Sequence, residues 1–198
     1  MNNYPNLTLV AHKSESYVPR TWHNASSGDV TLALAVDLTT AGERLTHKAS
    51  GDKYIGFQLN DDSKTLDLAR QLYKKMKSTN AKTLNVAGNG IYTLAEHGCS
   101  QDFINLFVYE VISKVHEYHK IEKIFTGGQT GVDMAGAITG IKLGIPVEIT
   151  FPAGFKQRFE DRKDITQTKE DIINQIEFRL AKLEEALNPT SQPKKLSI

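Results

Sequence analysis

The chain has 198 residues, of which 39% are hydrophobic, enough for one buried core and too few to favour two independent domains. Its 24 basic and 23 acidic residues leave a formal net charge of +1, which disfavours nucleic acid and anionic membranes as partners. The single cysteine, Cys99, excludes an intrachain disulfide. We expect a cytoplasmic protein, because neither a secretory signal nor an apolar run long enough to span a membrane is recognisable.

Residues 1–29 are rich in Ser, Asn, His and Pro and show no sustained hydrophobic period. We predict an irregular N-terminal arm that Tyr17, Val18 and Trp22 pin to the body of the protein. Arg20, Trp22 and His23 suit either a lid over the base of a ligand or the anchoring of this arm.

Residues 30–80 predict a β-α-β-α part of the same domain. "VTLALAV" has the continuous apolar pattern of a strand covered on both faces, and "TTAGERLTHKAS" predicts a short helix capped by Thr39 or Thr40. "KYIGFQL" predicts a second strand, followed by an amphipathic helix in "DDSKTLDLARQLYKKMKS".

Residues 81–188 continue the alternation more clearly. "TLNVAG", "IEKIFTGG" and "IPVEITF" predict strands, and "QDFINLFVYEVISKVHEYH" and "VDMAGAITGIKLG" predict the helices between them. The fold class predicted is therefore α/β, a Rossmann-like three-layer sandwich with a mainly parallel sheet, an N-terminal extension and a C-terminal helix.

The C-terminal helix, over about residues 167–187, carries an apolar stripe that suits packing on the sheet, the interpretation we favour, or a dimer contact. Residues 189–198 have the composition of a disordered tail.

The stretch "FTGGQTGVD", residues 125–133, leaves a predicted strand through glycines and enters a helix. Such a backbone approaches a ligand closely, and free N–H groups at a helix start attract phosphate. Gln129 and Thr130 add uncharged hydrogen-bonding groups. The alternative is a tight turn whose glycines only relieve crowding.

Two further strand ends favour the anion-binding interpretation. "NVAGNGIYTL" brings Gly88, Asn89 and Gly90, and would form the second wall of a crevice if the two strands are neighbours. "TFPAGFKQR" adds Lys156 and Arg158, which suit a phosphate unless this segment is only a solvated charged loop.

The run "TGGQTGVDMAGAITGIKLGIPVEITFPAGFKQRFED" resembles the molybdenum cofactor carrier family, and with "NVAGNG" it resembles the wider SLOG superfamily of Rossmann-like domains. The similarity covers residues 82–164. The N-terminal half resembles segments of bacterial and phage proteins that carry the same glycine loop. The PGGxGTxxE signature of the superfamily's phosphoribohydrolases is missing.

The resemblance implies a nucleotide or nucleotide-derived phosphorylated ligand, with a pterin-nucleotide among the candidates, and a homo-oligomer. The ligand-binding residues expected from the loops are Gly88, Asn89, Gly90, Gly127, Gly128, Gln129, Thr130, Gly131, Asp133, Lys156 and Arg158.

Two functions stay open. The first is a binding protein that carries, senses or sequesters this ligand. The alternative is a hydrolase that cleaves an N-glycosidic or phosphoester bond, with Asp133 or Glu43 as the acid or base. No metal site is expected, because His116 and His119 lack a recognisable further ligand.

Overall fold

The computed structural model describes residues 4–60 and 62–189, so the predicted disordered tail lies outside the described residues from position 190 onward. Eight strands and seven α-helices are formed within these ranges. The strands are β1 (Leu7–Ala11), β2 (Val30–Ala35), β3 (Tyr54–Gln58), β4 (Thr83–Gly88), β5 (Lys123–Thr126), β6 (Val147–Phe151), β7 (Gln157–Arg158) and β8 (Asp164–Ile165). The helices are α1 (Tyr17–Ser27), α2 (Ala41–Ser50), α3 (Thr65–Ser78), α4 (Ile91–Ala95), α5 (Gln101–Tyr118), α6 (Val132–Lys142) and α7 (Lys169–Leu187).

Six strands form one parallel sheet in the order β1-β6-β5-β4-β2-β3, while β7 and β8 form a separate antiparallel hairpin. From β2 the chain adds β3 on one side, then returns to place β4, β5 and β6 on the other. The strand order therefore reverses between β2 and β4, and ligands of open α/β sheets bind beyond the carboxyl ends of strands at such a switch point. The predicted α/β class and Rossmann-like sandwich are confirmed.

The two faces of the central strands differ in chemistry. Side chains alternate along a strand, and Thr31 lies opposite Asn85 and Ala33 opposite Ala87 in the β2–β4 register. These small and polar side chains face α1 and α2, which pack against each other and onto the sheet. The opposite face is apolar, and there Val86 packs close to Gly136 of α6. The main hydrophobic core consequently lies on the side of α3, α5 and α6.

The predicted irregular arm over residues 1–29 is wrong. β1 pairs with β6 at the sheet edge, and α1 begins after Ser16, whose side chain accepts a hydrogen bond from the Val18 N–H. The buried residues of this helix are Arg20, Asn24 and Ala25, whereas Val18 and Trp22 are largely exposed, so its apolar side chains do not mark the buried face.

The stripe on α7 packs within the chain, against α5 and α6. Ile172, Ile176, Leu180 and Leu183 are buried there. This seam therefore gives the predicted homo-oligomer no support.

None of the helices in the described ranges has the length and apolarity that a membrane span requires.

Candidate functional site

A cavity of about 310 Å³, here called the main cavity, opens where β4 and β5 end. A second cavity of about 390 Å³, the side cavity, adjoins it, and the two share six lining residues: Ala41, Gly42, Glu43, Gly88, Gly90 and Tyr92. Helices α1 and α2 cover the main cavity, and the loops after β4 and β5 form its other walls. This position is the switch point of the sheet, where ligands of this architecture bind.

The two glycine loops are hydrogen-bonded to each other. The strands that precede them, β4 and β5, are neighbours in the sheet, as predicted. The Ile91 N–H donates to the Thr130 carbonyl at 3.0 Å, and the Val132 N–H donates to the Asn89 carbonyl at 3.2 Å. The Gly131 N–H donates to the side-chain oxygen of Gln101 at 2.6 Å. Since these partners come from the protein itself, the start of α6 offers an anion fewer N–H groups than the sequence suggested.

An ion pair links α1 to the glycine loop. Arg20 Nη1 donates to Asp133 Oδ2 at 3.0 Å, and the Gln129 N–H reaches the same oxygen at 3.3 Å. A side chain at Gly127 would overlap the Arg20 guanidinium, so this glycine lets the arginine reach its carboxylate. Burial raises the pKa of Asp133, while Arg20 and the Gln129 N–H oppose that rise.

Gln129 and Thr130 hold the segment that carries the two predicted cations. Gln129 Nε2 donates to the Lys156 carbonyl at 3.0 Å, and its Oε1 accepts from the Arg158 N–H at 2.8 Å. Thr130 Oγ1 donates to the Arg158 carbonyl at 2.6 Å. These side chains therefore position Arg158 through its backbone.

The Arg158 side chain lines the main cavity in a fixed orientation. Its Nε and Nη2 donate to the two oxygens of Asp164 at 2.8 and 3.0 Å. The guanidinium also lies over the rings of Tyr17 and Tyr92. Lys156, in contrast, lies 3.5 Å from Glu15.

Asn89 ties the end of β4 to the end of β2. Its Oδ1 accepts from the N–H groups of Val36 and Asp37 at 2.9 and 3.2 Å, and its Nδ2 lies 3.5 Å from Glu43 Oε1. The contacts of this predicted binding residue are thus within the protein, at the border of the side cavity.

Glu43 is a second buried acid of the site. It is 3% exposed, in the first turn of α2, where Thr40 caps the helix. Burial, followed by repulsion from Asp133 and Asp37, raises the pKa of Glu43 to about 8. The carboxyl group is therefore mainly protonated at pH 7.

Several buried polar atoms around the main cavity make no hydrogen bond with any described residue. They are Arg20 Nε, both side-chain polar atoms of Asn24, Glu43 Oε2 and Asn85 Oδ1. Native proteins keep few such atoms, because each costs about 1–3 kcal/mol when it is unpaired. Their concentration around one cavity marks a place where water or a ligand supplies the missing partners.

Of the eleven predicted ligand-binding residues, six line the main cavity. These are Gly88, Gly90, Gly127, Gln129, Asp133 and Arg158. Asn89 borders the side cavity, and Gly128, Thr130, Gly131 and Lys156 border neither of the two. Gly128 faces the core, where a side chain would overlap Phe151.

The catalytic candidates Glu43 and Asp133 both line the main cavity. Arg20 covers this cavity from α1, whereas Trp22 is 42% exposed and His23 lies 3.6 Å from Glu148.

Sequence reasoning missed the part of the site that α1 and the sheet supply. The further lining residues are Tyr17, Thr21, Asn24, Thr46, Asn85 and Tyr92. Two signals could have revealed α1. One is Ser16 as a helix cap with Pro19 in the following turn, and the other is the spacing of the polar residues Arg20 and Asn24, four positions apart.

Comparisons with protein-family models, curated proteins and solved structures give no match. The fold and the site define an α/β protein with a polar cavity at the switch point of its parallel sheet. The similarity to the SLOG superfamily and its molybdenum cofactor carriers stays a prediction.

Proposed function

We propose that the protein binds a nucleotide or a nucleotide-derived phosphorylated ligand in the main cavity and carries, senses or sequesters it. The observation that carries this proposal is the main cavity at the carboxyl ends of β4 and β5, beside the point between β2 and β4 where the strand order reverses. Its volume of about 310 Å³ lies near the lower end of the range for small-molecule sites, roughly 300–1,000 Å³, and suits a mononucleotide.

Arg158 is the group best placed to meet a phosphate. Asp164 and two tyrosine rings orient its guanidinium, so little side-chain freedom is lost when a ligand binds. A planar guanidinium suits phosphate oxygens. Because several N–H groups around the start of α6 already have protein partners, this proposal assigns the phosphate to Arg158 and not to the helix start.

Glu43 favours the alternative hydrolase. A buried carboxyl group that keeps its proton at pH 7 is suited to protonate a leaving group. Asp133 would then be the second carboxyl of the pair; burial raises its pKa as well, and Arg20 opposes that rise. An N-glycosidic bond is the one this pair suits best, since its cleavage needs a proton on the departing base.

The experiment that separates the two functions uses a panel of nucleoside mono-, di- and triphosphates, cyclic dinucleotides and pterins. After incubation, mass spectrometry identifies ligand retained by the protein and products in solution. Unchanged ligand released on denaturation supports binding, and a product formed by the parent but not by Glu43→Gln supports the hydrolase. If the protein retains none of the panel and forms no product, both proposals are wrong.

Homo-oligomerisation and a cytoplasmic location stay predictions. Light scattering at micromolar concentration tests the first, and a monomer would contradict it.

A further inference from the structure

The inner end of the main cavity has a chemistry of its own. Asn24 is 3% exposed and Asn85 is 2% exposed, and both line the cavity. Asn24 comes from α1 and Asn85 from β4, while Glu43 approaches from α2. These three side chains are buried, whereas the Arg158 side chain in the lining of the same cavity is 38% exposed.

Arg20 Nε, the one charged donor in this set of unpartnered cavity atoms, belongs to the guanidinium paired with Asp133, and the others are amide and carboxyl atoms of Asn24, Asn85 and Glu43. Asn24 offers both an amide N–H and a carbonyl oxygen, and Asn85 offers its Oδ1, since its Nδ2 donates to Thr31 Oγ1 at 3.2 Å. Glu43 adds Oε2. A phosphate accepts hydrogen bonds and carries charge, so it would leave the oxygens of Asn24 and Asn85 unpaired.

An asparagine amide with both ends available matches a planar group that presents one acceptor beside one donor. The N6 and N7 edge of adenine is recognised by asparagine in this way, and a carboxamide offers the same pair. Ribose hydroxyls can also pair with an amide, but their geometry is neither planar nor fixed.

We propose that Asn24, Asn85 and Glu43 form a recognition subsite for the planar donor–acceptor edge of an uncharged group, a nucleobase or a carboxamide. The phosphate of the same ligand would extend toward Arg158. This inference rests on the proposed function and adds that the ligand is selected by its base end.

The test measures affinity for three probes that share a phosphorylated ribose, by isothermal titration at constant salt. AMP presents an adenine edge, nicotinamide mononucleotide presents a carboxamide, and ribose 5-phosphate presents neither. We expect AMP or nicotinamide mononucleotide to bind at least about tenfold more tightly than ribose 5-phosphate, as one or two well-placed hydrogen bonds would give. The tighter binder of these two shows whether the subsite recognises a nucleobase or a carboxamide.

The variant Asn24→Leu should remove this tenfold preference and leave the affinity for ribose 5-phosphate unchanged. It should also unfold at a higher urea concentration, because it removes two buried polar atoms that have no protein partner. Thr139→Val is the matched control, since Thr139 Oγ1 is also buried without a partner but lies in α6, away from the cavity lining. It should leave all three affinities unchanged.

Equal binding of all three probes would overturn the subsite and leave the proposed function in place. Binding of none of the three, together with failure of the wider panel, would overturn both. A preference that persists in Asn24→Leu would also contradict the subsite. If Asn24→Leu does not fold, the preference of the parent protein still decides.

Discussion

Replacing Glu43 with glutamine should stabilise the protein in a way that depends on pH. The folded protein holds the Glu43 proton up to about pH 8, whereas the unfolded chain releases it near pH 4.5. Between these values the unfolded state binds fewer protons, so stability falls as pH rises. The contribution of the protonated Glu43 carboxyl to stability is fully present below pH 4.5 and is lost as pH approaches and passes 8. Glutamine has the shape of the neutral acid but no proton to lose.

The expected size follows from the width of this window. Each pH unit inside it is worth about 1.4 kcal/mol, so the destabilisation by Glu43 would reach about 5 kcal/mol above pH 8. From pH 5 to pH 7 the advantage of Glu43→Gln over the parent should grow by about 2–3 kcal/mol. Urea denaturation at these two pH values measures the difference directly.

Glu110→Gln is the matched control, because it removes an exposed carboxyl group from α5 without touching the main cavity. If the stability difference between Glu43→Gln and the parent is the same at pH 5 and pH 7, the argument from burial is refuted.

Arg20→Met should cost about 3–5 kcal/mol in urea denaturation, because it leaves Asp133 buried without its cation. Adding Asp133→Asn to this variant should recover part of that loss. If Arg20→Met alone is as stable as the parent, a buried ion pair is ruled out. Gly128→Ala should cost about 1–2 kcal/mol for its positive φ and about 1–3 kcal/mol more for overlap with Phe151. Gly98→Ala shares the positive φ but has no neighbour within 4 Å, so equal losses would contradict the overlap.

The sequence was sufficient to predict the central strands and most helices because their buried faces are apolar. β2 is buried throughout, and α5 repeats apolar residues at helical spacing. β1 is a five-residue edge strand with one buried side chain, so its apolar pattern is too short to reveal it. α1 buries Arg20 and Asn24 and exposes Val18 and Trp22, so its apolar residues do not indicate which face is buried.

The candidate site could be predicted only where backbone chemistry marks it. Glycines after β4 and β5 indicated the position of a crevice, and Arg158 follows a third strand. Asn24 and Asn85 reach the cavity from elements far apart in the chain, and no local pattern distinguishes them from surface asparagines. In α1 the buried polar residues Arg20 and Asn24 line the cavity, as expected if function sets their chemistry.

The central claim, a nucleotide held in the main cavity, is tested most directly by filling that cavity. Gly42 lines both cavities, and a Cβ added there would meet no atom within 4 Å. Gly42→Trp should therefore fold like the parent yet lose at least about tenfold in affinity for the best ligand of the panel, measured by isothermal titration. Gly42→Ala should bind like the parent. Undiminished binding by a folded Gly42→Trp protein would contradict the location of the site.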